Sequence, residues 1–157
     1  MATILPTRRQ FVRLRQIGSR RRALLVEAMI CLALARLVLH LVPFPRIARR
    51  LGDFAPPGDA RAAQAGTPAP VDAPLARDVG WAVTRAARHA PFAAVCLPQA
   101  IAARVMLARR GIASVIHFGA CAPSEAPEET HAWLNAAGVE VTGYPIARRF
   151  TEVACFV

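Results

Sequence analysis

The amino-acid order predicts an α+β fold in which N-terminal helices pack on a small antiparallel sheet. Three observations carry that prediction. Up to Gly111 the chain is a series of Ala/Leu-rich segments punctuated by proline and glycine. Beyond Gly111 the apolar runs become short and β-branched, as in "IASVIHFGA". Finally, "HAWLNAAGVEVTG" reads as two strands joined by a tight connection.

Taken in order, the first helix should run from about Arg20 to Leu41 and stop at Pro43, which cannot continue it. "PRIARRLG" follows as a short helix closed by Gly52. The stretch "DFAPPGDARAAQAGTPAPVDAP" is rich in proline, alanine and glycine, which suits a flexible surface connection. A further helix should start after Asp72, whose carboxylate can cap the first turn with Pro74 just inside, and reach about His89. The next begins near Cys96 and ends before Gly111, with Arg109 and Arg110 in its last turn, where they complement the helix dipole. Then come a strand in "IASVIHFGA", a hairpin turning at Ala136, Ala137 and Gly138, and a last strand in "FTEVACFV". This gives one domain: arginine-rich and apolar helices over residues 1–52, a connection over 53–71, and a core over 72–157.

Composition narrows the function. Hydrophobic residues make up 55% of the 157 and aromatics 6%, so the core is built from Ala, Leu, Val and Ile, and a disordered chain is excluded. The net charge is +10 and every basic residue is arginine, with Arg8, Arg9, Arg13, Arg15, Arg20, Arg21 and Arg22 all ahead of the first long apolar run. A nucleic-acid arm looks similar. The rest of the chain lacks zinc-finger spacing, a ribonucleoprotein motif and aromatics to stack on bases, so nucleic-acid binding is not expected. A solvated arginine face resting on an acidic partner or a membrane surface fits better. In "ALLVEAMICLALARLVLHLV", Glu27, Arg36 and His40 interrupt the roughly 18 apolar residues that a spanning helix needs. The expectation is a helix packed on the domain with those three polar residues near one stripe.

Cys31, Cys96, Cys121 and Cys155 are scattered, with no CxxC pair and no histidine at ligand spacing, so a metal site is not expected. Without a convincing export signal, free thiols in a reducing cytoplasm are the default. Cys31 and Cys155 sit in apolar runs and read as core. Cys96 differs, because it starts a helix whose unpaired N–H groups and dipole favour the thiolate. Pro98 is tolerated there, since first-turn amides lack an intrahelical partner. Of His40, His89, His117 and His131, the last is the best base: it opens a strand just after the acidic loop "CAPSEAPEET" and precedes Trp133. The bland alternative is that Cys96 packs in an apolar helix and His131 is a satisfied core group.

The segments "RRRALLVEAMICLALARLVLHLVPFPRIARRLG", "CLPQAIAARVMLARRGI", "IHFGA" and "HAWLNAAGVEVTG" together resemble the stand-alone peptidase half of the lasso-peptide B proteins, which are transglutaminase-like. The resemblance runs from about Arg20 to the C-terminus and is weakest in the proline-rich connection. It implies a transglutaminase/papain-like fold with the nucleophile at a helix N-terminus. The implied activity is removal of the leader from a ribosomally made precursor before macrocyclisation. Cys96 would be the nucleophile, His131 the general base, and the Cys96 N–H the oxyanion donor with help from Gln99. The superfamily's aspartate has no counterpart, because every Asp here precedes Cys96. Glu140, Asn135 or a backbone carbonyl are the orienting groups left open; strand alternation puts Trp133 and Asn135 on the face of His131. The implied partners are the precursor leader peptide, a separate leader-binding protein and the lasso cyclase. No cofactor is implied in this chain; ATP dependence belongs to the assembled complex and has no signature here. The readings that compete are a non-catalytic scaffold or membrane-surface protein built on the first helix, and an acyl transferase without hydrolysis.

Overall fold

Among the described residues five helices, with one short strand between the second and third, precede the rest of a five-stranded antiparallel sheet, so the class is α+β. The computed structural model describes residues 18–121 and 130–157; Arg8, Arg9, Arg13 and Arg15, and most of the acidic loop expected before His131, lie outside the described residues. In chain order the elements are α1 (Ser19–Leu41), α2 (Phe44–Leu51), β1 (Phe54–Ala55), the short α3 (Ala60–Ala65), α4 (Ala73–Ala87), α5 (Cys96–Ala108), β2 (Val115–Ala120), β3 (Thr130–Ala136), β4 (Val139–Thr142), a 3-10 turn (Ile146–Arg149) and β5 (Thr151–Phe156). The sheet order is β1-β5-β2-β3-β4.

α1, α4 and α5 form a layer on one face of the sheet. α1 turns Leu24, Ala28, Cys31, Leu32 and Ala35 inward at helical spacing, onto α4 and α5. α5 lies innermost and meets the sheet residues Ile116, Leu134 and Phe156 through Ala100, Ala103, Met106 and Leu107. Small residues let these helices come close. At Gly80 of α4 a Cβ would stand 2.5 Å from the Val141 carbonyl oxygen, so only glycine allows α4 to rest on β4.

The opposite face of α1 carries Val26, Ile30, Leu34, Leu37 and Leu41 into solvent. By length and composition α1 is long and apolar enough to cross a membrane. The single polar stripe expected on it does not form. Glu27 points into the protein, where Arg110 donates to its Oε1 at 3.0 Å and Arg109 lies 3.5 Å away, whereas Arg36 and His40 are exposed. This also relocates the two arginines: α5 ends at Ala108, and Arg110, just past it, donates to the Met106 carbonyl at 2.7 Å, covering a C-terminal acceptor.

Other expectations change for local reasons. Residues 53–71 are built into the fold rather than a simple connection, since Phe54 and Ala55 pair with Phe156 and Cys155, and Asp59 caps α3 by accepting from the Arg61 N–H at 2.8 Å. Asp72 makes no side-chain cap. Its own backbone is helical (φ −91°, ψ −24°), within a turn where its N–H bonds Ala69, so its carboxylate is not aimed at the first free amides. α4 stops at Ala87, two residues before His89. The hairpin turns on two residues, Ala137 and Gly138, at φ 52° and 74°, because paired left-handed residues match the strand twist and a third is unnecessary.

The guanidinium of Arg110 holds the Glu27 carboxyl below its ordinary 4.5, against the opposing pull of partial burial. A depressed carboxylate stabilises the fold above its unfolded pKa, and that contribution disappears as pH falls through the folded value. Glu27→Gln should therefore cost about 1–3 kcal/mol near neutrality, shrinking below about pH 4, in denaturant titrations. Gly80→Ala should cost about 1–3 kcal/mol by overpacking, measured the same way.

Candidate active site

Cys96 is the first residue of α5, preceded by Val95 in extended conformation (φ −71°, ψ −171°). The first-turn amides of Cys96 and Leu97 have no intrahelical acceptor, Pro98 has no N–H, and the Gln99 N–H reaches Val95 O at 3.3 Å. Two backbone donors and the positive end of a helix thus flank a half-buried thiol. No hydrogen bond joins that thiol to a described residue. The Gln99 side chain is committed elsewhere: its amide donates to the Ala94 carbonyl at 2.7 Å and clamps the lead-in to the helix.

His131 sits at the start of β3 with 6% of its surface exposed. Its Nε2 lies 2.8 Å from the Gly143 carbonyl oxygen. A carbonyl only accepts, so Nε2 carries the proton and the neutral ring has its lone pair on Nδ1, which is buried and has no partner among the described residues. Phe150 stacks on the ring at 5.0 Å between centroids and Trp133 at 6.3 Å. The register pairs Gly119 with His131, and a Cβ at residue 119 would lie 2.7 Å from the Trp133 indole and 2.9 Å from Phe150. Glycine there is the space that the aromatic packing needs.

Strand alternation puts His131, Trp133 and Asn135 on the sheet face away from the helices, together with His117, whose ring stacks on Trp133 at 5.5 Å. Cys96 belongs to the helical layer. Arg104, about 12 Å along α5 from Cys96, donates to Ser114 O and Phe156 O, at the end of the sheet opposite His131. No hydrogen bond joins Cys96 and His131.

Neither side chain considered as orienter bonds His131. Asn135 accepts from the Tyr144 hydroxyl at 2.7 Å, and Glu140 pairs with Arg148 at 3.0 Å. The backbone carbonyl of Gly143 takes that place. A histidine–carboxylate pair escaped the sequence reading: His117 Nδ1 is 2.7 Å from Glu152 Oε1. β5 brings it in from 35 residues away, and a register shift beside Gly119 sets where Glu152 falls. Alternation in "FTEVACF" was the available signal, but it does not show which strand lies alongside. Cys121, just after β2, packs against the cluster of Trp133, Ala147 and Phe150. Among the described residues no group of three or more His, Cys, Asp or Glu is gathered to hold a metal ion.

Compared with known proteins, the family described as the transglutaminase-like superfamily matches residues 38–155. No curated protein and no solved structure matches the chain.

Burial pushes the thiols of Cys31 and Cys155 up from their ordinary value, and a nearby glutamate adds to this in each case, Glu27 for Cys31 and Glu152 for Cys155. Both should therefore alkylate at least about tenfold more slowly than Cys96 in the folded protein. Peptide mass spectrometry after timed exposure to iodoacetamide gives the order.

Proposed function

Because the chain belongs to the transglutaminase-like superfamily, whose members are typically cysteine-dependent enzymes, we propose that it is a cysteine peptidase that removes the leader from a lasso-peptide precursor before a partner cyclase closes the ring. One observation carries the reading: Cys96 is the first residue of α5, with free amides beside its sulfur. Amides without an intrahelical acceptor are the donors that an oxyanion formed beside the sulfur needs.

In the reaction, the His131 Nδ1 lone pair takes the Cys96 proton, while Nε2–H stays on the Gly143 carbonyl and fixes the ring. The thiolate attacks the scissile carbonyl carbon, and the negative oxygen is held by the Cys96 and Leu97 N–H groups. Collapse breaks the C–N bond, the imidazolium gives its proton to the leaving amine, and an S-acyl enzyme remains. Water then attacks the thioester with His131 as base, releasing the leader carboxylate and the thiol. The reading requires the two side chains, which lie on different sides of the sheet in the free chain, to come together when substrate is bound. A separate protein would hold the leader by strand addition and deliver the cleavage site. Gln99 then acts by shaping the entry to α5, and Asn135 and Glu140 contribute through the surrounding packing.

A second reading places the nucleophile at Cys121, which packs against the aromatic cluster that stacks on His131. The two are separated by incubating the chain with precursor and leader-binding protein. Cys96→Ala and His131→Ala are each expected to lower leader release by about a thousandfold or more, with Cys121→Ser within about twofold of wild type. The reverse order for the cysteines moves the nucleophile to Cys121, and full activity in both Ala variants removes the peptidase. Product masses showing a free leader carboxylate establish hydrolysis; a leader joined to an amine establishes acyl transfer.

A further inference from the structure

α1 has two apolar faces, and the fold uses one of them. Leu24, Ala28, Cys31, Leu32 and Ala35 pack inward on α4 and α5. On the outer side Val26, Ile30, Leu34, Leu37 and Leu41 recur at helical spacing, each more than half exposed, in a stripe about 22 Å long. Ala33 and Val38, also exposed, fill the gaps between them. The charge around the stripe has one sign. At about 100° per residue, the exposed Arg22, Arg36 and His40 fall along one margin. The other margin holds Glu27, whose carboxylate faces both Arg109 and Arg110, so the excess there is positive as well. Past the C-terminal end of the stripe, α2 adds the exposed Arg46, Arg49 and Arg50.

We propose that α1 lies flat on an anionic lipid bilayer, with this stripe in the acyl boundary and the surrounding arginines at the level of the headgroup phosphates. Length and composition alone would let α1 span a membrane. Spanning, however, would strip its inner face from α4 and α5 and break the Glu27–Arg110 pair, whereas lying flat keeps both. Two observations favour lipid over protein as the occupant. A second copy of the chain would set the same arginines against one another, and Glu27, the lone acidic residue in Ser19–Leu51, is already engaged. The stripe is also wholly aliphatic, without the tyrosine, tryptophan or hydrogen-bonding anchors on which protein interfaces depend. Aliphatic side chains bordered by guanidinium groups call only for hydrocarbon and diffuse negative charge, which an anionic bilayer supplies together. The surface involves neither Cys96 nor His131, so it stands or falls apart from the peptidase reading.

The test is flotation of the full chain with vesicles of phosphatidylcholine, either alone or mixed equally with phosphatidylglycerol. Binding to the mixed vesicles is expected, weakened by salt and at least about tenfold weaker on phosphatidylcholine alone. Ile30→Glu combined with Leu34→Glu should abolish it, and Arg22→Gln combined with Arg36→Gln should weaken it by about tenfold or more, each with an unchanged circular dichroism spectrum. The comparison of the two vesicle types on the wild-type chain keeps the test decisive if a variant fails to fold. Near-ultraviolet circular dichroism should be the same bound and free, because α1 stays on α4 and α5. Its loss on vesicles would mean that the helix leaves the domain to span, and would overturn the flat orientation. Equal binding to both vesicle types, undiminished binding in the folded glutamate variant, or absence of vesicle binding, whether the chain sediments as a monomer or as a dimer that the glutamate variant dissolves, overturns the proposal.

Discussion

The position of α5 governs the rest of the structure, and the Arg104 guanidinium holds α5 to the sheet. Arg104 donates to the carbonyls of Ser114 and Phe156, at the start of β2 and the end of β5, at 3.1 and 3.0 Å. Burial lowers the affinity of that guanidinium for its proton, yet an arginine remains charged throughout the accessible range, so the two carbonyls must answer a permanent cation. The helix it fixes is almost all small on its inner faces. Ala100, Ala102 and Ala103 are fully buried, which is how α1, α4 and the sheet all approach one helix. With the far end tied to the strand ends, the near end and its thiol are held at a defined level of the sheet.

That arrangement divides the candidate chemistry between two sides of one sheet. The helical side carries the Cys96 thiol and the first-turn amides of its helix. The other side carries an aromatic and imidazole layer: His131 and His117 against Trp133, closed by Phe150. Backbone, not carboxylate, fixes the tautomer of His131. A carbonyl orients the ring without placing a negative charge beside it, which distinguishes this arrangement from an aspartate triad.

The legible parts of the fold were those set by local chemistry. Pro43 and Gly52 ended two helices where the sequence said they should, and the change in periodicity beyond Gly111 marked the sheet. Cys96 at a helix start was legible for the same reason. What local rules could not supply was set by distant partners. β1 is two residues long and exists because β5 lies beside it; Glu27 turns inward because Arg110 waits there; the partners of Asn135 and Glu140 come from the turn after β4. The inference that α1 would show one polar stripe failed because a helix between solvent and a protein has two environments, and the charges sort between them.

The strand order has a consequence for how the chain reaches this state. β5, last in chain order among the described elements, is not at the margin: it lies between β1 and β2, and Phe54 pairs with Phe156. During synthesis the helices can collapse early on local contacts, but β1 stays unpaired and one edge of β2 stays bare until β5 emerges. The sheet is thus completed only when β5 enters between its two neighbours, and the interval before that closure is when the nascent polypeptide is most prone to associate with itself.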